Sequence, residues 1–245
     1  MLLKLALRNI FRQRIRSVVT LVAIVFGVVG LILSGGFVKD IFVQLGEAII
    51  QSETGHVQVF RVGFREQGTR QPDRYLIEDP APHAARIKTS LLVREVSSRL
   101  SFSGLINNGR SDLPIVGEGI EPDKEAQLGS FLKMVSGRPL TDSDGFGVIV
   151  GEGLATSLVL HVGDQVTLLV NTAGGALNTV DLEVVGIFQS FSRDFDARAL
   201  RIPLAAAQEL LATAGANQLV VTLHHTRDTD AALATIQAQL AGSGL

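Results

Sequence analysis

The sequence predicts an α+β protein: one N-terminal transmembrane helix with a stalk extension, then a mixed α+β extracytoplasmic domain. Three observations carry this. Residues 17–38 contain no charged side chain, and 14 of these 22 are Leu, Ile, Val or Phe. Charge is arranged asymmetrically about that run. Beyond it, short alternating segments and short helical periods follow one another without a regular βαβ rhythm. The expected organisation is a basic amphipathic cytoplasmic segment (1–16), a transmembrane helix (17–38), a stalk helix (39–53) and the outer domain (54–245).

As a helix, residues 17–38 span roughly 33 Å, enough for a hydrocarbon core of about 30 Å. Their apolar side chains favour insertion by a few kcal/mol in total, at about −0.3 to −0.6 each, and no buried charge opposes this. Lys4, Arg8, Arg12, Arg14 and Arg16 precede the run with no acid among them, and the first acid, Asp40, lies just past its other end. The positive-inside rule then puts the N-terminus in the cytoplasm and the chain after residue 40 outside. Small residues at Ser34, Gly35 and Gly36 would suit a signal-peptidase site, but the apolar run exceeds the usual 7–15 residues of a signal peptide. An uncleaved anchor is therefore the reading. Leu2, Leu3, Leu5, Leu7, Ile10 and Phe11 alternate with the cations, as in a segment lying on an anionic lipid surface. Ala23, Gly27, Gly30 and Ser34 share one narrow stripe where another helix could approach closely.

Residues 40–52 keep a helical apolar period through Ile41, Phe42, Leu45, Ala48 and Ile49, so the helix continues outward as a stalk. Thr54-Gly55 ends it, and 56–61 alternate as a strand. Residues 62–82 hold Pro72, Pro80 and Pro82 and read as a loop, followed by a helix over 83–92. Strands over 97–106 and 112–119 flank Asn107-Asn108-Gly109, a hairpin signal. A short helix over 121–128 leads to a turn at Ser136-Gly137-Arg138-Pro139. Residues 148–150 form a strand and 152–158 a helix. Val162-Gly163-Asp164 turns into a strand over 165–170, and Ala173-Gly174-Gly175 into another over 179–188. Residues 194–202 run irregularly into a strand. Pro203 opens a helix over 204–212 that ends near Gly215. Then come a strand over 218–223 and a helix over 228–240 with Leu233, Ile236 and Leu240 on one face.

Composition narrows the function. Outside the first 16 residues, 17 basic face 24 acidic residues, which argues against a nucleic-acid surface. One tyrosine, Tyr75, and no tryptophan leave few rings for base stacking. Without cysteine there is no disulfide, thiolate site or cysteine nucleophile. None of the five lysines (4, 39, 88, 124, 133) lies in a phosphate-binding G-x-x-x-x-G-K-[ST] loop. His224 and His225 are adjacent at a strand end and point to opposite faces, so they cannot share an ion in regular strand geometry. No H-E-x-x-H pair and no G-x-S-x-G elbow occurs. The expectation is a protein with no catalytic, metal or cofactor site. Asp164 is expected to fix its turn by accepting backbone N–H groups. Arg138 should pair with a carboxylate of the domain. Phe188, Phe191 and Phe195 should pack in the core, with an exposed apolar rim as the alternative.

The start Leu5-Ala6-Leu7-Arg8-Asn9, followed by basic residues and an apolar helix, resembles the FtsX/MacB/LolC-type permeases of ABC transporters. The resemblance continues, in order and spacing, through Ser136-Gly137-Arg138, Val150-Gly151, Leu154-Ala155, Val162-Gly163-Asp164, Val184-Val185-Gly186-Ile187-Phe188 and the Leu204/Ala207–Leu211 segment, which are similar to a MacB-like periplasmic core domain. It implies a bacterial inner-membrane subunit with four transmembrane helices, the domain lying between the first two. It also implies a separate cytoplasmic ATPase subunit and a second permease subunit, identical or related, besides contact with membrane lipid. Residues 51–60 lean toward the lipoprotein-releasing branch. This sequence departs from the pattern in having no second apolar stretch of about 20 residues, so the resemblance covers the N-terminal half of such a subunit. The competing expectation is a membrane-anchored interaction protein without a transport role.

Overall fold

The computed structural model describes residues 14–50, 54–68, 75–128, 132–172, 174–190 and 192–245. The chain divides after Ala48 into two compact units, a long helix and a folded domain. Helix α1 (Arg14–Ile49) is unbroken for 36 residues, about 54 Å of rise. Within it an 18-residue stretch has mean hydropathy 2.6 and buries nothing against protein. All side chains from 18 to 45 are exposed. So much Val, Ile and Leu left bare in water would be unfavourable by about 25 cal/mol per Å². By length and composition, this helix can cross a bilayer.

In the folded domain the elements after α1 are β1 (Val57–Phe60), a π turn (Phe64–Gly68), α2 (Pro80–Lys88), β2 (Val93–Asn107), β3 (Asp112–Ile120), α3 (Pro122–Leu128), β4 (Lys133–Gly137), β5 (Gly147–Gly151), α4 (Glu152–Leu158), β6 (Gln165–Asn171), β7 (Leu177–Gln189), α5 (Arg193–Asp196), β8 (Ala199–Pro203), α6 (Leu204–Leu211), β9 (Gln218–Leu223) and α7 (Thr229–Leu240), with a 3-10 turn at Thr226–Asp228 before α7. The fold is mixed α+β, as the sequence predicts.

Strand β2 is 15 residues long and serves two sheets. Its first half joins the antiparallel order β1-β9-β2, with Val57↔Val221 and Val96↔Val221 among the pairs. Helices α2 and α7 cover one face, burying Ile87, Val96, Leu219, Val221 and Ile236 together. Its second half enters a ring of six strands: β2 pairs β3, β3 pairs β8 in parallel, β8 pairs β5, β5 pairs β7 in parallel, β7 pairs β6, and β6 returns to β2. Alternate side chains point into this ring, as closure requires. Leu100, Phe102, Ile106, Leu168, Leu182, Val184 and Ile202 fill it with Leu154, Leu158 and Leu210 from α4 and α6. A smaller apolar cluster of Ile149, Val185, Phe188 and Ala199 lies under Leu132, Met134 and Phe195.

Several boundaries differ from expectation. Helix α2 starts at Pro80, not 83, because a proline in the first turn needs no N–H partner. Residues 133–137 form strand β4 where the sequence suggested only a turn; its partner β7 lies about fifty residues away, beyond the reach of local pattern. The β2–β3 hairpin closes through four residues, 108–111, because Asn107 pairs with Asp112. Asn108 Oδ1 holds that loop by accepting from the N–H groups of Arg110 and Ser111, both at 2.9 Å. Helix α6 ends in left-handed geometry at Ala212 (φ 53°) rather than at Gly215. On α7 the buried residues are Ala232, Ile236 and Leu240, whereas Leu233 is partly exposed. Phe188 is fully buried with Phe195 packed 6.4 Å away, and Phe191 lies outside the described residues.

Candidate functional site

The domain has two places where a strand exchanges one neighbour for another, and its polar residues gather there. The first is the middle of β2. Along one edge, residues 93–99 pair with β9 and 104–107 with β6. In the gap, the Ser101 N–H donates to Asn217 Oδ1 (2.6 Å), while the Asn217 N–H donates to the Arg99 carbonyl (2.9 Å). On the opposite edge β3 pairs only from Leu100 onward, and the Ser98 N–H donates instead to Glu121 Oε2 (2.6 Å). Side-chain oxygens thus replace missing strands on both edges, as buried backbone donors demand.

Charged side chains cover this joint. Arg99, only 1% exposed, gives a bidentate pair to Glu125 through Nε (2.8 Å) and Nη2 (2.7 Å), and Ser97 Oγ adds a third bond at 2.9 Å. Arg201 on β8 is also buried and bonds Glu118 on β3 at 3.1 Å. Burial pushes the Glu125 carboxyl up. The Arg99 charge and hydrogen bonds, then Arg201 and Ser97, outweigh it and leave the group below its ordinary value. Glu95 behaves alike: burial raises it, and Lys88 Nζ at 2.6 Å with the Val96 N–H brings it below normal. Lys124 bonds Glu121 at 2.6 Å. Lys88, Glu95, Ser98, Glu121, Lys124 and Gln208 line a cleft of about 430 Å³ beside the joint. Lys88 pairs with Glu95 and Lys124 with Glu121 there, an arrangement suited to holding elements in register, and Asp79 adds a third carboxylate to the lining.

The second exchange is on β7, which pairs with β6 up to Glu183 and with β4 from Gly186. Against β5 it carries one extra residue, Val185, a bulge. Here the structure brings together all seven residues of the family-like motif. The Gly163 N–H donates to the Val184 carbonyl (2.8 Å), the Val184 N–H to the Asp164 carbonyl (2.9 Å), and the Arg138 N–H to the Val185 carbonyl (3.1 Å). Ser136 and Gly137 pair with Ile187 and Gly186. A Cβ on Gly137 would lie 2.3 Å from the Val185 oxygen, and one on Gly186 would lie 2.3 Å from the Arg138 oxygen. Gly137 also has φ 71°, so only glycine meets both demands there. Val162 packs its methyl over Gly137. Asp164 Oδ2 accepts the His161 N–H at 2.7 Å and so closes its own turn.

Arg138 grips Asp144 with both terminal nitrogens, at 2.5 and 2.6 Å. That bond holds the Asp144 carboxyl well below the usual carboxylate range; burial opposes it, and Thr141 assists through its hydroxyl and N–H. The contacts of this cluster hold β4, β7 and the 161–164 turn together.

On α1, Ala23, Gly27, Gly30 and Ser34 are exposed, and a Cβ built on Gly27 or Gly30 would meet nothing within 4 Å beyond the helix's own nearby backbone. Arg16 is exposed in the first turns, and its carbonyl accepts Thr20 Oγ1 at 2.9 Å. Lys4, Arg8 and Arg12 lie outside the described residues, as does the side chain of Arg14.

Sequence reasoning missed Arg99, Glu118, Glu125, Arg201 and Asn217. One signal was available: a single arginine inside an apolar strand, as in Ala199-Leu200-Arg201-Ile202-Pro203, requires a buried counter-charge.

A family model described as the MacB-like periplasmic core domain matches residues 17–239. The lipoprotein-releasing system transmembrane protein LolE of Haemophilus influenzae is 28% identical over 133 residues, covering 51% of this chain and 32% of that protein. The chain therefore spans about a third of that relative's length. Among solved structures, the periplasmic region of MacB from Actinobacillus actinomycetemcomitans aligns with TM-score 0.56 at 16% identity, over 76% of this chain and 83% of that one. The extracellular domain of the noncanonic ABC-type transporter YknZ from Gram-positive bacteria gives 0.53 at 16% identity, over 74% and 91%. At such identity these two describe a shared fold.

Proposed function

Because this chain belongs to the family of the MacB-like periplasmic core domain, we propose that it is the N-terminal part of the membrane-spanning permease subunit of an ABC transporter. In this reading α1 crosses the bacterial inner membrane with its N-terminus in the cytoplasm. The α+β domain works on the extracytoplasmic side. The subunit pairs with a second permease subunit, identical or related, and with a separate cytoplasmic ATPase; ATP hydrolysis there moves or releases a substrate outside. The permease chain itself carries no catalysis, binds no cofactor and does not contact nucleic acid. The observation that carries the reading is the family match from residue 17 to 239, which takes in the apolar helix and the domain as one unit. Release of lipoproteins is the favoured substrate class, because the LolE relative bears that description.

Affinity purification of the full-length protein from membranes is the test. Recovery of an ATPase subunit in stoichiometric yield is expected; its consistent absence overturns the proposal in favour of a membrane-anchored interaction protein. Orientation is read separately by a reporter fused after Val38, which should be active only outside the cytoplasm.

A further inference from the structure

Helix α3 is attached to the domain in an unusual way. None of its described side chains belongs to an apolar cluster; Pro122 is buried, and the Glu125 side chain is only 10% exposed. Carboxylates at and just before the helix bind it to β2: Glu125 on Arg99 and Ser97, and Glu121, itself bonded by Lys124 of the helix, on the Ser98 N–H. These contacts reach β2 at the residues where it leaves the three-stranded sheet for the six-stranded ring. Arg99 is the last residue of β2 paired with β9. Glu125 also feels the charge of Arg201, which stands on β8 of the ring and is bonded to Glu118 on β3. One helix is thereby bonded to β2 at the residues where the sheet gives way to the ring.

We propose that α3 is an electrostatically held latch that sets the stiffness of the joint between the three-stranded sheet and the strand ring. With the latch closed, the carboxylates immobilise 97–101 of β2 and the two parts move together. With it open, Ser98 loses its acceptor, Arg99 its partner, and β2 is free to bend at the exchange point. Ion pairs suit such a part. Their stabilisation is confined to a narrow geometry and disappears as a unit when one partner departs, whereas apolar packing loosens gradually. The latch goes beyond the permease reading and stands or falls without it.

Hydrogen exchange on the full chain in lipid nanodiscs tests this, following peptides over 97–101, 121–128 and the ring strands β6 and β7. Glu125→Gln keeps the size of the side chain and removes its charge. At least about tenfold faster exchange is expected in the first two segments, the loss of one charged hydrogen bond, while β6 and β7 keep wild-type protection. Unchanged exchange in 121–128, or an equal rise in β6 and β7, overturns the latch. Glu121→Gln, at a side chain one-quarter exposed, guards against misfolding of the first variant. It should speed exchange at 97–101 several-fold with the ring again unaffected, and no change there overturns the proposal as well.

Discussion

The exchange points on β2 and β7 solve one problem with different materials. Each is a place where a strand loses one neighbour before gaining the next, leaving backbone groups to be satisfied. On β7 the backbone does the work: Gly137 and Gly186 let two chains touch, and turns at Gly163-Asp164 and Arg138 supply the donors and acceptors. On β2 side chains do it: Asn217 and Glu121 oxygens stand in for absent strands, and the Arg99–Glu125 pair covers the joint. A joint made of backbone contact has no alternative arrangement short of unfolding. A joint made of side chains can open. With the proposed latch, the comparison assigns adjustability to β2 and rigidity to β7 within one domain.

The largest effect should come from the β2 side. Arg99→Ala strands Glu125 as an unpaired buried charge and should cost about 3–5 kcal/mol in denaturant unfolding. Arg99→Met combined with Glu125→Leu should recover most of that loss, since matched apolar groups can replace a buried pair. Failure of the double variant to recover would mean the joint depends on charge for more than filling space. At β7, Gly137→Ala should cost about 3 kcal/mol, from close contact with the Val185 carbonyl together with the left-handed backbone. A smaller loss than Arg99→Ala gives at β2, measured the same way, would still be large for one methyl group. Much less than about 1 kcal/mol would show the β7 joint to be pliable and erase the contrast.

A third prediction concerns acid. Asp144 is depressed in the folded state by Arg138, so its contribution is fully present above the unfolded carboxyl value of about 3.9 and is lost as pH falls through the lower folded value. Melting temperature followed from pH 6 to pH 2 should fall less steeply in Asp144→Asn than in wild type. Parallel curves would remove Arg138–Asp144 from the β7 joint. The smallest effect should be at Val159, a β-branched residue held at φ 53° at the end of α4, just before the Gly163 turn. Val159→Gly should stabilise the domain by roughly 0.5–1 kcal/mol, relief of the backbone exceeding the added chain entropy. A destabilised variant would indicate that the valine side chain contributes more than its exposure suggests.

The same contrast explains what could be read in advance. The β7 cluster was visible as Ser136-Gly137-Arg138, Val162-Gly163-Asp164 and Gly186, because a backbone that must turn or touch another backbone restricts residue type locally. Asp164 and Arg138 took the roles expected of them, one capping its turn and the other pairing with a nearby carboxylate. The β2 joint was not visible. Arg99 and Glu125 are separated by 26 residues, and Arg201 and Glu118 by 83, and either glutamate alone reads as an ordinary surface residue. Strand β4 was missed likewise, since five residues without alternation become a strand only when β7 offers an edge.

The sequence alone determined the apolar helix, its basic flank, the mixed α+β class and the family, because hydropathy, charge order and turn chemistry act over a few residues and survive without knowledge of the rest. Tertiary structure alone decided that six strands close into a ring, that β2 belongs to two sheets, and that Arg99 pairs with Glu125 of α3 and Arg201 with Glu118. Those are agreements between segments tens of residues apart, and their free energy exists only once the chain has folded and excluded water from between them.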